Sequence, residues 1–395
     1  MQKWVSFLLV LLFLTSCGKE EEKSQEETLS PVQEEIKKSD LEVTPVSFKE
    51  LQNWGSDDLS SAMSAFSLSC NKIMERKDPF LSQRALIKVP TAAYQEVCQK
   101  LANVAPLEYK NFIEQNFVPY RVRFKGSDIG KFTSYFEPTI SVSSQKDEYF
   151  KIPVYGRPYD MFELNLSEFG EDLPKRKLVG RIVGQNFVPY YTREEINKIY
   201  MKAPIILWTN DAVDLFIAQI QGSAVALMPD GSQVRLAFDG SNGRKFTGIG
   251  SILLQKGLIR PGQASMMEIK KWMKENFSTA KKLMNLNERF VFHRLSYESG
   301  PIGAQGVVLT AGRSLAVDPD FIPLGSLLWL ETSLPKFGET AKMVVAQDVG
   351  SAIKGAIRGD YFWGTGSDDV LELAGKMNAE GRYYILVPKG VEVDF

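Results

Sequence analysis

The sequence predicts a mainly β protein with helices gathered on its N-terminal side. Residues 47–115 place apolar side chains at helical spacing, and residues 117–140 switch to alternation. Most of the chain beyond residue 140 consists of short apolar runs separated by Gly, Pro, Asn and Asp, the pattern of many short strands. With 395 residues, 44% of them hydrophobic, the chain has ample core material and a length that suggests two domains.

Leu51, Trp54, Leu59, Ala62 and Phe66 approximate one helical face, and Tyr94, Val97, Cys98 and Leu101 another. Val118, Tyr120, Val122 and Phe124 then alternate with the two-residue period of a strand, and residues 132–137 are rich in aromatics. Residues 207–223 and 232–237 read as further strand-like runs, the second after a Pro229-Asp230-Gly231 turn. Residues 266–277 read as a helix. Strands return at 307–309, 327–329, 343–347 and 383–387, an arrangement that suits barrels.

The N-terminus carries a basic Lys3, an apolar run from Val5 to Leu14, and the close Leu14-Thr15-Ser16-Cys17. A membrane span needs roughly 20 residues, so this run reads as a secretory signal covering residues 1–16. Its end resembles the lipobox of bacterial lipoproteins, which implies cleavage before Cys17 and acylation of its thiol. Gly18 at the next position implies, by the same resemblance, an outer-membrane lipoprotein facing the periplasm. Residues 18–45 hold nine acidic and four basic residues and no aromatic. Such a segment cannot bury enough surface to offset its chain entropy, so residues 17–45 are expected to be a lipidated, disordered tether. In an oxidising compartment Cys70 and Cys98 are expected to pair; two buried thiols are the alternative.

The formal net charge of −1 gives no electrostatic case for a nucleic-acid partner. Nucleophilic triads need a histidine, and the only one, His293, lies in an apolar run where packing explains it. There is no HExxH, no CxxC and no GxxxxGK[ST], so neither metal nor cofactor is expected. Carboxylates remain. An apolar run ends in Asp348, a glycine-punctuated loop comes next, and Asp360 precedes Tyr361, Phe362 and Trp363. An acid among aromatics is poised for desolvation, which raises its pKa and keeps a proton available for donation. Asp318, after Leu309-Thr310-Ala311-Gly312-Arg313, is a third candidate, although turn capping is the ordinary role of aspartates near glycine.

These segments resemble the three-aspartate domain of the membrane-bound lytic murein transglycosylase A family. The resemblance rests on residues 309–318, 322–325, 346–355 and 360–366. It continues upstream through Phe132-Thr133-Ser134-Tyr135-Phe136-Glu137-Pro138, Gln219-Ile220-Gln221-Gly222-Ser223 and Asp239-Gly240-Ser241-Asn242-Gly243. Ser351 departs from a usual glycine, and residues 287–290 match loosely. The resemblance implies a double-psi β-barrel from residues 46–138 and 297–395, with an inserted β domain at 139–296 and a groove between them. It further implies cleavage of the bond between N-acetylmuramic acid and N-acetylglucosamine in peptidoglycan, exo-type, leaving 1,6-anhydro ends. Asp360 would be the single acid and base, with Asp348 and Asp318 supporting it. Tyr135, Gln221, Ser223 and Asn242 would contact sugars, with Arg313 and Lys354 as further substrate-binding candidates. Partners would be glycan strands and, through the lipid, a membrane; a cell-wall enzyme complex stays open. A non-catalytic peptidoglycan-binding lipoprotein and a muramidase-type hydrolase are the alternatives.

If Cys17 carries the anchor, Cys17→Ser should move the protein from the membrane pellet to the soluble fraction, or block processing. Unchanged membrane partitioning of the variant would exclude this anchor.

Overall fold

The computed structural model describes residues 40–170, 172–174, 176–260, 265–366 and 368–393. The expected signal peptide, Cys17 and most of the tether lie outside them. The last residues of the expected tether belong to the fold. Leu41–Pro45 forms β1, with alternate residues Leu41 and Val43 buried against β2 (Phe117–Phe124), its antiparallel partner. Two buried apolar side chains and a sheet edge outweigh the polar composition around them.

Helix α1 (Leu59–Met74) begins where the Asp58 carboxylate accepts from the Ser60 N–H, satisfying a donor that has no partner within the helix. It buries Leu59, Ala62, Met63, Phe66, Cys70 and Ile73, a 3.6-residue stripe. Helix α2 (Thr91–Leu101) buries Tyr94, Val97, Cys98 and Leu101. A disulfide joins Cys70 to Cys98, with Cα atoms 5.4 Å apart. Short α3 (Tyr109–Asn116) leads into β2. These helices cover the barrel sheet, and the Tyr94 hydroxyl donates to the Leu386 carbonyl at 2.8 Å.

Strand β3 (Gly130–Ser143) is long and changes partners along its length. Beyond Pro138 it meets a second group of elements, made of β4 (Ile152–Tyr155), β5 (Phe162–Asn165), β6 (Lys177–Val183), β7 (Asn186–Pro189), α4 (Arg193–Ile196), β8 (Ile205–Thr209), α5 (Ala212–Gln221), β9 (Ala224–Leu227), β10 (Gln233–Ser241), α6 (Ile249–Gln255), α7 (Met266–Glu275), α8 (Phe277–Met284) and β11 (Val291–Ser296). Residues 139–141 of β3 pair with β9 and residues 142–143 with β8. Strands β5, β6 and β7 form a separate sheet. Residues 207–223, expected as strand throughout, are strand only to Thr209. The Asp211 carboxylate then accepts from the N–H groups of Val213 and Asp214 and starts α5. Its largely apolar sequence leaves helix and strand hard to tell apart by periodicity, and the cap marks where the helix starts.

The chain returns through β12 (Ser314–Val317), β13 (Leu327–Leu334), β14 (Gly338–Val349), β15 (Arg358–Gly366), α9 (Asp368–Lys376) and β16 (Asn378–Pro388). Six strands pair in a closed circuit: β3 with β15, β15 with β12, β12 with β14, β14 with β13, β13 with β16, and β16 with β3. Trp329, Val344, Val345 and Ile385 are fully buried in one core with Phe66 and Tyr94 of the helices. The expected class, mainly β with N-terminal helices, holds.

The Cys70–Cys98 bond closes a loop with a sequence separation of 28. Loop-closure entropy assigns such a loop about 3–4 kcal/mol of stabilisation. The Cys70→Ser/Cys98→Ser variant should lose most of that in urea unfolding, and a loss below about 1 kcal/mol would contradict the assignment.

Candidate active site

Asp348 and Asp360 lie 12 positions apart in sequence but share one row of the sheet. Ala316 of β12 pairs with Asp348 on one side and Asp360 on the other. Asp360 in turn pairs with Thr133 of β3, and Thr133 with Asn378 of β16. Residues in register point to the same face, and two strand spacings separate the carboxylates' Cα atoms by about 10 Å. The alanine between them adds only a methyl group to that face.

The alignment depends on a one-residue slip. Leu315 pairs with Ala346, whereas Ala316 pairs with Asp348, so Gln347 is the extra residue. Without the slip, Asp348 would point to the opposite face. Gln347 is fully buried. Its Nε2 donates to the Ala65 carbonyl and the Ser69 hydroxyl, each at 2.8 Å, and its Oε1 accepts from the Ser314 hydroxyl at 2.6 Å. Helix α1 therefore holds the slipped register in place.

Around Asp360 the hydrogen bonds form a chain. The Thr133 hydroxyl donates to the Asp360 carboxylate and accepts from the Arg358 guanidinium at 2.7 Å. Burial pushes the Asp360 carboxyl up to about 6; the Thr133 hydrogen bond and the Arg358 charge oppose the rise, and Asp348 adds to it. Asp348 accepts from the Tyr135 hydroxyl and the Ala304 N–H, each at 2.9 Å. Burial also raises the Asp348 carboxyl, against the pull of those donors. Burial first, and then the two nearby carboxyls, raise Tyr135 well above the usual phenol range, so it stays a donor. Its ring lies 5.1 Å from that of Phe362. The cluster is thus a proton-holding carboxyl coupled to a second, hydrogen-bonded one.

Asp318 does not join them. It is 3% exposed, and its carboxylate accepts from the Gly355 N–H at 2.9 Å and Lys354 Nζ at 3.3 Å. It fixes the loop between Asp348 and Asp360, whose Gly355 sits at φ 119°, where a side chain would be strained. Lys354 is half exposed and bound to that aspartate.

Two expected sugar or substrate contacts have other duties. Asn242 is 1% exposed; its Nδ2 donates to the Tyr191 and Glu288 carbonyls, and its Oδ1 accepts from the Arg244 and Phe290 N–H groups. No polar atom of its amide is left for a ligand, so its place is structural. Arg313 is 5% exposed and likewise fully engaged. It forms a two-pronged ion pair with Asp57 at 2.6 and 2.9 Å and donates to Ser61, Asp58 and Met343. It clamps the start of α1 to the barrel. Gln221 Oε1 accepts from the Phe136 N–H at 3.2 Å, next to Tyr135, and Ser223 is half-buried beyond the α5 terminus.

Thr133, Arg358 and Glu137 are not among the candidates that the sequence singles out. Thr133 and Tyr135 are two residues apart in a strand and share a face, as do Arg358 and Asp360, so alternation was the available signal. Glu137 is buried, with Arg235 Nε at 2.8 Å and the Thr365 hydroxyl at 2.6 Å. It ties β3 to β10 and β15 beside the row. Among the described residues no group of three or more His, Cys, Asp or Glu is placed to hold a metal ion.

The MltA specific insert domain model matches residues 131–294, and the 3D domain model matches residues 313–387. A crystal structure of MltA from Neisseria gonorrhoeae aligns with 90% of this chain and 95% of its own, at 30% identity and a TM-score of 0.77. A membrane-bound lytic murein transglycosylase from Agrobacterium tumefaciens aligns with 88% and 98%, at 28% identity and a TM-score of 0.78. The curated membrane-bound lytic murein transglycosylase A of Vibrio cholerae is 28% identical over 265 residues, 65% of this chain and 64% of that protein. The match thus spans just under two thirds of that relative's length.

Asp57→Ala would leave the Arg313 guanidinium buried without its carboxylate. Breaking such a pair from one side costs about 3–5 kcal/mol, expected as a lower urea midpoint. A loss under about 1 kcal/mol would contradict the clamp.

Proposed function

Because the chain belongs to the membrane-bound lytic murein transglycosylase A family, we propose that it cleaves peptidoglycan glycan strands as a lytic transglycosylase. The observation that carries this reading is Asp360, a half-buried carboxyl that desolvation raises to about 6 and that accepts from the Thr133 hydroxyl. Such a group keeps a proton to give near neutral pH and becomes a competent base after giving it.

In the proposed reaction Asp360 donates its proton to the oxygen between N-acetylmuramic acid and N-acetylglucosamine. The bond from C1 of the muramic sugar to that oxygen breaks, and positive charge develops on the muramic ring. The Asp360 carboxylate then takes the proton of the same sugar's primary hydroxyl, whose oxygen closes on C1. The enzyme ends protonated as it began, and the sugar ends as the 1,6-anhydro form. A tethered hydroxyl has a very high effective concentration, so no second carboxylate is needed to activate water. Asp348 acts through electrostatics, raising Asp360, and Tyr135 holds Asp348. Asp318 and Lys354 support the loop, and Gln221, Ser223 and Tyr135 remain the proposed sugar contacts.

We assign residues 46–138 and 297–395 to the catalytic barrel and 139–296 to an insert that supplies the far wall of the groove. The change of partners along β3 supports this division. Attachment to the outer membrane would come through acylated Cys17; among the described residues no helix is long and apolar enough to cross a membrane.

Purified glycan strands should yield products ending in 1,6-anhydromuramic acid, lighter by one water than a hydrolase's products in mass analysis. Reducing muramic ends would overturn the mechanism in favour of a muramidase. Asp360→Asn should still bind strands while losing about 10²–10⁴-fold in turnover. Near-normal cleavage by that variant would reject the assignment.

The raised pKa also bears on stability. An unfolded aspartate titrates near 3.8 and folded Asp360 near 6, so the folded state binds this proton more tightly. The stabilisation is full below about pH 4 and is lost as pH rises through about 6. Asp360→Asn should therefore be more stable than wild type at pH 7, by up to about 3 kcal/mol, and lose that advantage near pH 4. A variant less stable than wild type at pH 7 would contradict this.

A further inference from the structure

A second cleft lies away from the carboxylates. Residues 46–54, α3, the start of β2 and Lys389 line an open space of about 660 Å³, within the size range of ligand sites. All of its lining lies outside residues 131–294 and 313–387, the segments matched by the family models.

Its floor is aromatic. The rings of Phe48 and Trp54 stand 4.7 Å apart, and both residues are only half-buried. Trp54 Nε1 donates to the Glu114 carboxylate at 2.7 Å, and its ring meets Trp329 edge-on at 4.9 Å, so the platform is fixed before any ligand arrives. The loop around Trp54 turns through Asn53 at φ 52° and Gly55 at φ 95°. A Cβ on Gly55 would stand 2.7 Å from Lys110 Nζ, so the missing side chain leaves the space in which Lys110 lies across the loop.

Its rim is cationic. Lys49, Lys110 and Lys389 all line the cleft, and all are exposed. Among the described residues none of the three ammoniums has a side-chain partner. Among the described residues Glu114 is the only carboxylate in the lining, and Trp54 already engages it. Among the described residues three cations against one anion leave the lining at +2, in a chain whose net charge is −1. The three cations come from three separate segments, which suits several carboxylates spread along a chain better than one compact phosphate. The cleft is also remote from the first site. Asn378, in register with Thr133, and Lys389 lie 11 residues apart along β16 and its end, up to about 35 Å of extended chain.

We propose that this cleft binds a short peptide bearing several carboxylates, with its aliphatic groups on Phe48 and Trp54. Given the function proposed above, on which the source of the ligand rests, that peptide is the stem carried by peptidoglycan. The barrel would then hold one stretch of wall while cutting another.

The test titrates full-length protein in detergent with the tripeptide L-alanyl-γ-D-glutamyl-diaminopimelate and with the same peptide fully amidated. The acidic peptide should bind, and the amidated one should bind at least about tenfold more weakly. Binding should also weaken as salt screens the charges. The Lys49→Ala/Lys110→Ala/Lys389→Ala variant changes only exposed side chains. It should lose at least about tenfold in affinity while cleaving peptide-free strands at the wild-type rate. No binding of the acidic peptide, equal binding of both peptides, or unchanged affinity in the variant would each overturn the proposal. If strands gave no anhydro ends but the variant still lost peptide binding, the function reading would fail and the cleft would stand.

Discussion

A slip of one residue at Gln347 sets the geometry on which the rest of the site depends. It turns Asp348 onto the face that Asp360 occupies, across a strand whose intervening residue is only an alanine. In this partly desolvated row Asp348 adds to the cost of ionising Asp360, on top of desolvation itself. The slip is not a local accident of β14, because Gln347 is hydrogen-bonded into α1 through Ala65 and Ser69. The N-terminal helices thus reach the chemistry through the backbone register rather than through contact with it.

The closed strand circuit makes that register hard to change. Moving β14 by one residue would break its pairings with β13 and β12 together, and β15 is held between β12 and β3. Around the circuit the buried polar groups act as fasteners: Arg313 with Asp57, Asp318 with Gly355, and Glu137 with Arg235. Each sits beside the row without joining it. A rigid frame of this kind keeps a carboxyl in a place that water solvates poorly, which is how a common side chain obtains an uncommon pKa.

Much of this was legible in residue types and spacing. The stripes in α1 and α2, the alternation in β2 and the acid ahead of three aromatics each arise from a short local pattern. What could not be read depended on distant partners. Asn242 and Arg313 look like ligand-binding residues until their partners, far along the chain, are seen to occupy every polar atom. Leu41–Pro45 looked like tether because nothing in its composition announces that β2 lies beside it. Ala316 carries no chemistry of its own, and only the pairing register shows that it separates the two acids. Residues 207–223 are mostly apolar with only a few polar side chains, so the clearest mark of the helix is its Asp211 cap.

Asp360 holds its proton because desolvation disfavours its charged form and the nearby Asp348 adds to that cost, and both causes can be measured at the carboxyl itself. Carboxyl ¹³C NMR titration of Asp360 would be run in wild type and in Asp348→Asn. The expected midpoint is near 6 in wild type and lower in the variant, where the neighbouring charge is gone. A wild-type midpoint near that of an ordinary aspartate, unmoved by Asp348→Asn, would contradict it.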